Sequence, residues 1–490
     1  MAGVGVRLNR CFEKKSIATD IVGIGYSVLI SIAPILIVVF GILLMGFILQ
    51  IGEAPYLNRE LFSCTITYVL IFSLLAVSPF NAVLSRYVQD AIYEDRYQDI
   101  LPCYYLGALM TMIFGCLMGI PFCLWEHFVG GVDVFYVFMG FCAYVSMILV
   151  FHSVAFLLSC KDFEKIAIFF LLGMVEAIVL AWILCRWYQW ELMTGMLFSL
   201  MTGFLLIAIL EFAAVKSYFR GNSRRYKPVL KFFGKWWSLV FTNFFYMLGI
   251  YVHNFVFWQS DGNGKVAESF LFNRSYDMAT FIAMFTNISA TVIFVAHMEM
   301  HFRGKYRRYS ESVIGGKRLD IENAKGQMFR QLESELMTLA RIQFIISVVL
   351  YLLCVVFAPQ YGYGGEIIRI YPCLATGYFI LFIMYAALIF LYYFNDAPGT
   401  IYTAAGFFLV TLLGSIAVTR LPEIWHGMGL VLGAFTGWTI AYLRLRWLEK
   451  NMDVHVFCQG YIIKRENAPK PSGLVYKKAE KGREGEHAQI

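Results

Sequence analysis

Apolar runs of about 20 to 30 residues follow one another along almost the whole chain, each long enough to cross a bilayer as a helix. Six of them run Ile21–Gln50, Leu61–Leu84, Leu101–Trp125, Val132–Ser159, Ile166–Cys185 and Glu191–Val215. After a polar basic stretch, six more run Trp237–Trp258, Ala279–His297, Ile342–Ala358, Ile370–Phe394, Gly399–Thr419 and Ile424–Leu443. The pattern predicts an all-α polytopic membrane protein of twelve transmembrane helices. Each half places a long polar connection directly after its second span, Ser85–Ile100 and then Glu299–Arg341, as expected of two related, pseudo-symmetric six-helix bundles.

The domain reading follows from these segments. Residues 1–215 form an N-terminal bundle, 216–236 a basic linker around Pro228, 237–448 a C-terminal bundle, and 449–490 a polar tail. Within the second long connection, Met328, Leu332, Leu336 and Leu339 recur at helical spacing, which predicts an amphipathic cytoplasmic helix near 320–341 after the turn-like Gly315-Gly316. Pro34 and Pro79 break the backbone ladder inside spans one and two, as a kink or a gating helix requires.

Composition agrees with a membrane solvent. Of 490 residues, 59% are hydrophobic and 15% charged, with a mean hydropathy of +0.65, which excludes a soluble globular class. Lys and Arg near span ends set orientation. With the N-terminus inside, 34 of the 40 fall on cytoplasmic segments, and the outward side keeps Arg59, Arg186, Lys265, Arg274, Arg369 and Arg420. Both termini are therefore expected in the cytoplasm, on a protein of the cytoplasmic (inner) membrane. The first apolar run is too long for the core of a cleavable signal peptide, so span one is expected to stay.

Candidate chemistry is sparse. The eleven cysteines lack metal-ligand spacing, the glycine clusters lack phosphate-cradling spacing, and neither a GxSxG elbow nor an HExxH site occurs. No metal, cofactor or catalytic residue is expected, and the protein is read as a non-enzyme. Ionisable groups inside spans are costly and usually face a cavity or a partner. Glu176 lies near the middle of span five, while His152 and His253 lie nearer the ends of spans four and seven. Glu211 and Arg86 sit at span ends, where snorkelling explains them. Tyrosines inside spans, among them Tyr26, Tyr144 and Tyr246, offer an apolar face for a sugar ring and a hydroxyl for its edge. These six, Glu176, His152, His253, Tyr26, Tyr144 and Tyr246, are the candidate translocation path. Arg86, Arg96, Arg303, Arg307 and Arg308 mark the two long connections as candidate partner-docking loops.

Several segments carry a resemblance: the opening MAGVGVRLNR, then SRYVQDAIYEDRYQDILP, YMLGIYVHNFVFW, YRRYSESVIGGKRLDIENAKGQM, ALIFLYYFNDAPGTIYTAAGFFLV and HVFCQG. In this order, from residue 1 to about residue 460, they resemble the PelG family, the multispanning membrane component of the Pel exopolysaccharide machinery of biofilms. The resemblance implies a MATE-like flippase-superfamily fold with two bundles around a central cavity. It further implies movement of a hexosamine-rich Pel-like polymer together with a cytosolic UDP-sugar-dependent glycosyltransferase (PelF-like) and membrane scaffold subunits (PelD-like and PelE-like). Nucleic acid has no part in it. The expected function is therefore translocation of this exopolysaccharide. The alternatives are a stand-alone MATE-like exporter or lipid-linked oligosaccharide flippase, a non-conducting assembly subunit, and a membrane-embedded polymerase. The last of these lacks a cytosolic carboxylate-bearing domain.

Overall fold

A computed structural model describes residues 17–160, 162–260, 263–297, 302–357, 360 and 365–458. The described residues up to Tyr442 form one compact unit and those from Leu443 onward a second; the packing described below is that of the first. The helices of the first half are α1 (Ile17–Ile48), α2 (Tyr56–Tyr93), α3 (Ile100–Phe128), α4 (Val134–Ser159), α5 (Phe163–Trp182) and α6 (Leu192–Tyr218). A short amphipathic α7 (Lys227–Lys235) leads into α8 (Trp237–Phe257). A β-hairpin of β1 (Gly264–Val266) and β2 (Phe270–Phe272) follows. The rest are α9 (Arg274–His297), α10 (Arg303–Gly315), α11 (Arg318–Phe357), α12 (Gly365–Tyr393), α13 (Ala397–Val418) and α14 (Met428–Cys458). Among the described residues, ten helices are long and apolar enough to span a membrane. The two remaining expected spans fall on α1 and α9.

The two halves pack by the same rule. In the first half α1 packs on α5, α2 on α4 and on α3, and α3 on α4. In the second half the corresponding pairs are α8 with α13, α9 with α12 and with α11, and α11 with α12. The pairs that join the halves, α2 with α8 and α1 with α9, exchange under the same correspondence. That is the contact pattern of pseudo-two-fold related bundles. Small residues set the closest approaches, as they do where lipid gives helices no hydrophobic drive to associate. Gly429, Gly433 and Gly437 recur every four residues along α14, and a Cβ at Gly433 would lie 2.8 Å from the backbone N of Thr411 on α13.

Three elements differ from the sequence reading. The first polar connection is mostly helix, because α2 runs on to Tyr93. Val83, Leu84, Tyr87, Val88 and Ala91 keep a buried helical stripe after the hydropathy has fallen, and the helix stops only where Asp95 takes a positive φ of 55°. The amphipathic segment near 320–341 is likewise continuous with span nine as the 40-residue α11. It buries Met328, Leu332 and Leu339 and stacks Phe329 on Phe394 with ring centroids 5.5 Å apart. The β-hairpin, paired Gly264 to Phe272 and Val266 to Phe270, is not legible among the apolar runs. Below, the end of the unit bearing this hairpin is the hairpin end, and the end bearing residues 216–236 is the linker end.

Candidate translocation path

One face of α2 carries the best-defined geometry between the halves. Glu60, Cys64, Tyr68 and Phe72 recur every four residues and so align along one side of the helix. Glu60 is buried and pairs with Arg274 at the start of α9. Cys64 packs with Val266 and Phe270 of the hairpin. The Tyr68 hydroxyl donates to the Leu271 carbonyl at 2.9 Å and accepts from the Leu271 N–H at 3.1 Å. Its ring stacks on Trp258 at 4.9 Å and meets Phe270 edge-on at 5.0 Å. Phe72 stacks on Phe255 at 5.6 Å. Asp277 holds Trp258 in place: its carboxylate accepts from the indole N–H at 2.9 and 3.0 Å, from Asn254 Nδ2 at 2.8 Å and from the Asn273 N–H at 3.2 Å.

The linker end is closed along the same helix. The Arg86 guanidinium lies 3.5 Å from the ring centroid of Trp236 and donates to Asn395 Oδ1 at 3.1 Å. Asn395 sits at a φ of 58° in the turn between α12 and α13. Arg86 therefore joins the halves instead of snorkelling freely.

Buried polar groups occupy separate places in the first half. Between α2, α3 and α4 a cavity of about 230 Å³ is lined by aromatic rings, Phe270 of the hairpin among them. Tyr144 lines it and donates to the Gly115 carbonyl at 3.2 Å. Glu126, 5% exposed, lines it as well, and its Oε1 has no hydrogen-bond partner. Glu176 is half-buried where Gly173 and Gly203 let α5 and α6 meet, and a Cβ at Gly203 would lie 3.4 Å from its Oε2. His152 is fully buried, with Nε2 at 3.1 Å from the Tyr104 carbonyl and its ring 4.9 Å from that of Tyr104. Tyr104 shares a 2.7 Å hydrogen bond with Ser153. Glu211 corrects the sequence reading: it is fully buried, both oxygens lack partners, and it does not reach water.

In the second half His253 is fully buried, with Nδ1 at 2.8 Å from the Tyr276 hydroxyl. Tyr246 stacks on Tyr385 at 5.4 Å, and the Tyr392 hydroxyl donates to Asn243 at 3.4 Å. These tyrosines lie close together in the interior of the second half.

The six candidate path residues are spread over these places. Tyr144 lines the aromatic cavity, and His152, His253, Glu176 and Tyr246 are not among its lining residues. Tyr26 lies on α1, with its side chain outside the described residues. Of the candidate docking residues, Arg96 pairs with Glu94 at 2.6 Å and Asp99 at 3.1 Å, and Arg307 pairs with Glu311 at 2.8 Å. Arg308 lines a polar groove between α10 and α11. Arg303 begins α10, and its side chain is outside the described residues. Sequence reasoning missed Asp277, Trp258 and Glu60 as a set, because their partners lie some 20 to more than 200 residues away. Among the described residues no His, Cys, Asp and Glu side chains group to hold a metal.

The model of the PelG exopolysaccharide exporter family (EPS-E) matches residues 1–457. No curated protein matches the chain. Among solved structures, it is similar to a multidrug resistance MATE family transporter of the MOP superfamily in an outward-facing conformation. That likeness has 13% identity and a TM-score of 0.56, covering 88% of this chain and 96% of the other. A eukaryotic MATE transporter gives 13% identity, the same coverages and a TM-score of 0.58. A MOP superfamily transporter from Pyrococcus furiosus gives 13%, 87%, 96% and 0.55. At this identity the likeness is one of fold.

Proposed function

The chain belongs to the PelG exopolysaccharide exporter family and has the MATE-like fold of a multi-pass membrane transporter; from that premise we propose that it passes a Pel-like, hexosamine-rich polymer across the cytoplasmic membrane while a cytosolic glycosyltransferase extends it. The observation that carries this reading is the seam along α2. The halves meet at the hairpin end through Glu60, Tyr68 and Phe72, and at the linker end through Arg86. Each closure consists of a few polar and aromatic contacts between two bundles, so a rocking motion breaks one set without unfolding either bundle.

The bundles are residues 1–215 and 237–448, joined by the linker 216–236. Both termini and the α10–α11 connection face the cytosol, following the 34 to 6 asymmetry of Lys and Arg, and the hairpin end faces outward. The PelF-like glycosyltransferase docks at the linker end, at α10–α11 and the end of α2, with PelD-like and PelE-like subunits as membrane scaffold. The sequence carries no nucleotide-cradling loop, so polymer extension supplies the push, and Glu176 is the residue through which a proton gradient assists.

Co-purification of the tagged chain with the glycosyltransferase from solubilised membranes tests the partnership. Recovery in stable proportion supports it. Loss of the enzyme under mild detergent, with export intact, moves the reading to a stand-alone exporter.

A further inference from the structure

We propose that the groove at the hairpin end of α1, α2 and α6 is a binding site for an anionic phospholipid, with its phosphate on Arg59 and an acyl chain in the groove. The groove holds about 540 Å³ and is lined by Leu43, Phe47, Phe62, Ile66 and Met196 on its apolar side and by Arg59 at its polar end. That division, apolar length with one cationic head, matches an amphiphile and not a free sugar or ion.

Arg59 is poorly satisfied by the protein. A guanidinium carries five N–H donors. Here NH1 reaches the Gly52 carbonyl at a long 3.4 Å, the group lies 5.9 Å from the Tyr56 ring centroid, and the buried Nε has no hydrogen-bond partner. Other basic residues of the six read as outward differ: Lys265 pairs with Glu268, Arg274 with Glu60 and Arg369 with Glu423. Among the described residues Arg59 has no carboxylate partner. Two further features favour a phosphate beside it. Arg59 stands in the first turn of the 38-residue α2, whose N-cap Pro55 offers no side-chain cap; the Asn58 and Arg59 N–H groups bond to the Pro55 carbonyl, which leaves those of Tyr56 and Leu57 without a cap. A second guanidinium, that of Arg186, is brought to the rim by its 3.0 Å hydrogen bond to Gln50 Oε1.

The apolar side continues onto surface that a bilayer covers. Leu43 and Phe47 are 62% and 82% exposed, so a chain lying in the groove stays in contact with the hydrocarbon region while its phosphate sits at the helix ends. Phosphate recognition alone is also met by inorganic phosphate, and the apolar lining is what separates the two sources.

The test is native mass spectrometry of the purified full chain with phosphatidylglycerol, with phosphatidylcholine of the same acyl chains, and with inorganic phosphate. The wild type is expected to retain phosphatidylglycerol at least tenfold better than Arg59→Gln does. Millimolar phosphate is expected to leave the retained lipid in place. Ser63→Trp, an exposed position on the groove wall, is expected to lower retention similarly while Arg59 stays intact, and Arg59→Lys is expected to restore much of it. Equal retention of phosphatidylglycerol by the wild type and both the Arg59→Gln and Ser63→Trp variants overturns the proposal. So does binding of inorganic phosphate without lipid, or equal retention of phosphatidylcholine and phosphatidylglycerol by the wild type.

Discussion

The phenol of Tyr68 both donates to and accepts from the backbone of Leu271, at 2.9 and 3.1 Å, and so ties α2 to a hairpin 203 residues further along the chain. A single side chain satisfies both polar groups of one residue, and the stacked Trp258 is itself fixed by Asp277. The closure at the hairpin end is therefore a chain of oriented contacts from α9 through Trp258 to α2, and each link can be cut separately.

Tyr68→Phe removes both hydrogen bonds and keeps the ring. A buried hydrogen bond contributes about 1 kcal/mol net, with a larger cost when a partner is stranded, so the seam should open about five- to thirtyfold more often. Cys64, buried beside the hairpin, reports this through its alkylation rate, read peptide by peptide. An unchanged rate would mean that Tyr68 does not hold the seam.

The Glu60–Arg274 pair should respond asymmetrically, since Glu60 is 5% exposed at its side chain and Arg274 is 68% exposed. Arg274→Gln strands a buried carboxylate and should cost about 3 kcal/mol. Glu60→Gln leaves a solvated guanidinium and should cost about 1 kcal/mol. Thermal unfolding in detergent compares them, and equal losses would sink the argument from burial.

Asp162, between α4 and α5, gives a pH prediction. Burial pushes its carboxyl up, but hydrogen bonds from Tyr218 and Lys165 outweigh that and hold it below the usual carboxylate range. A folded value below the unfolded one contributes stability above about pH 4 and loses it as pH falls through the depressed value. Asp162→Asn, which also weakens the N-cap of α5, should lower the melting temperature at pH 7, with the gap to wild type shrinking towards pH 3. A gap that widens on acidification contradicts the sign.

Glu176→Gln should abolish export and leave complex assembly intact if a proton path uses this carboxylate. Export at the wild-type level removes proton coupling through Glu176 and leaves polymer extension as the drive.

The spans were legible because hydropathy over some 20 residues is a local property, whereas the MATE-like fold was implied by the family resemblance and not by the number of spans. The ends of α2 and α11 were not, since polar residues such as Arg86, Gln89 and Asp90 lower the hydropathy while Tyr87, Val88 and Ala91 continue the buried stripe. Glu211 was misplaced for a related reason: its position near a span end says nothing of the neighbours that bury it. The seam was illegible in principle. Tyr68 is an ordinary aromatic until the fold brings Trp258 and Leu271 to it, and Arg86 is an ordinary basic flank until Trp236 and Asn395 arrive.

The central claim is tested most directly in sealed inverted membrane vesicles that make polymer from UDP-sugars with the glycosyltransferase, with and without this chain. The account predicts polymer in the vesicle lumen only when the chain is present. Polymer left outside in both cases, with no physical association between chain and enzyme, would contradict it.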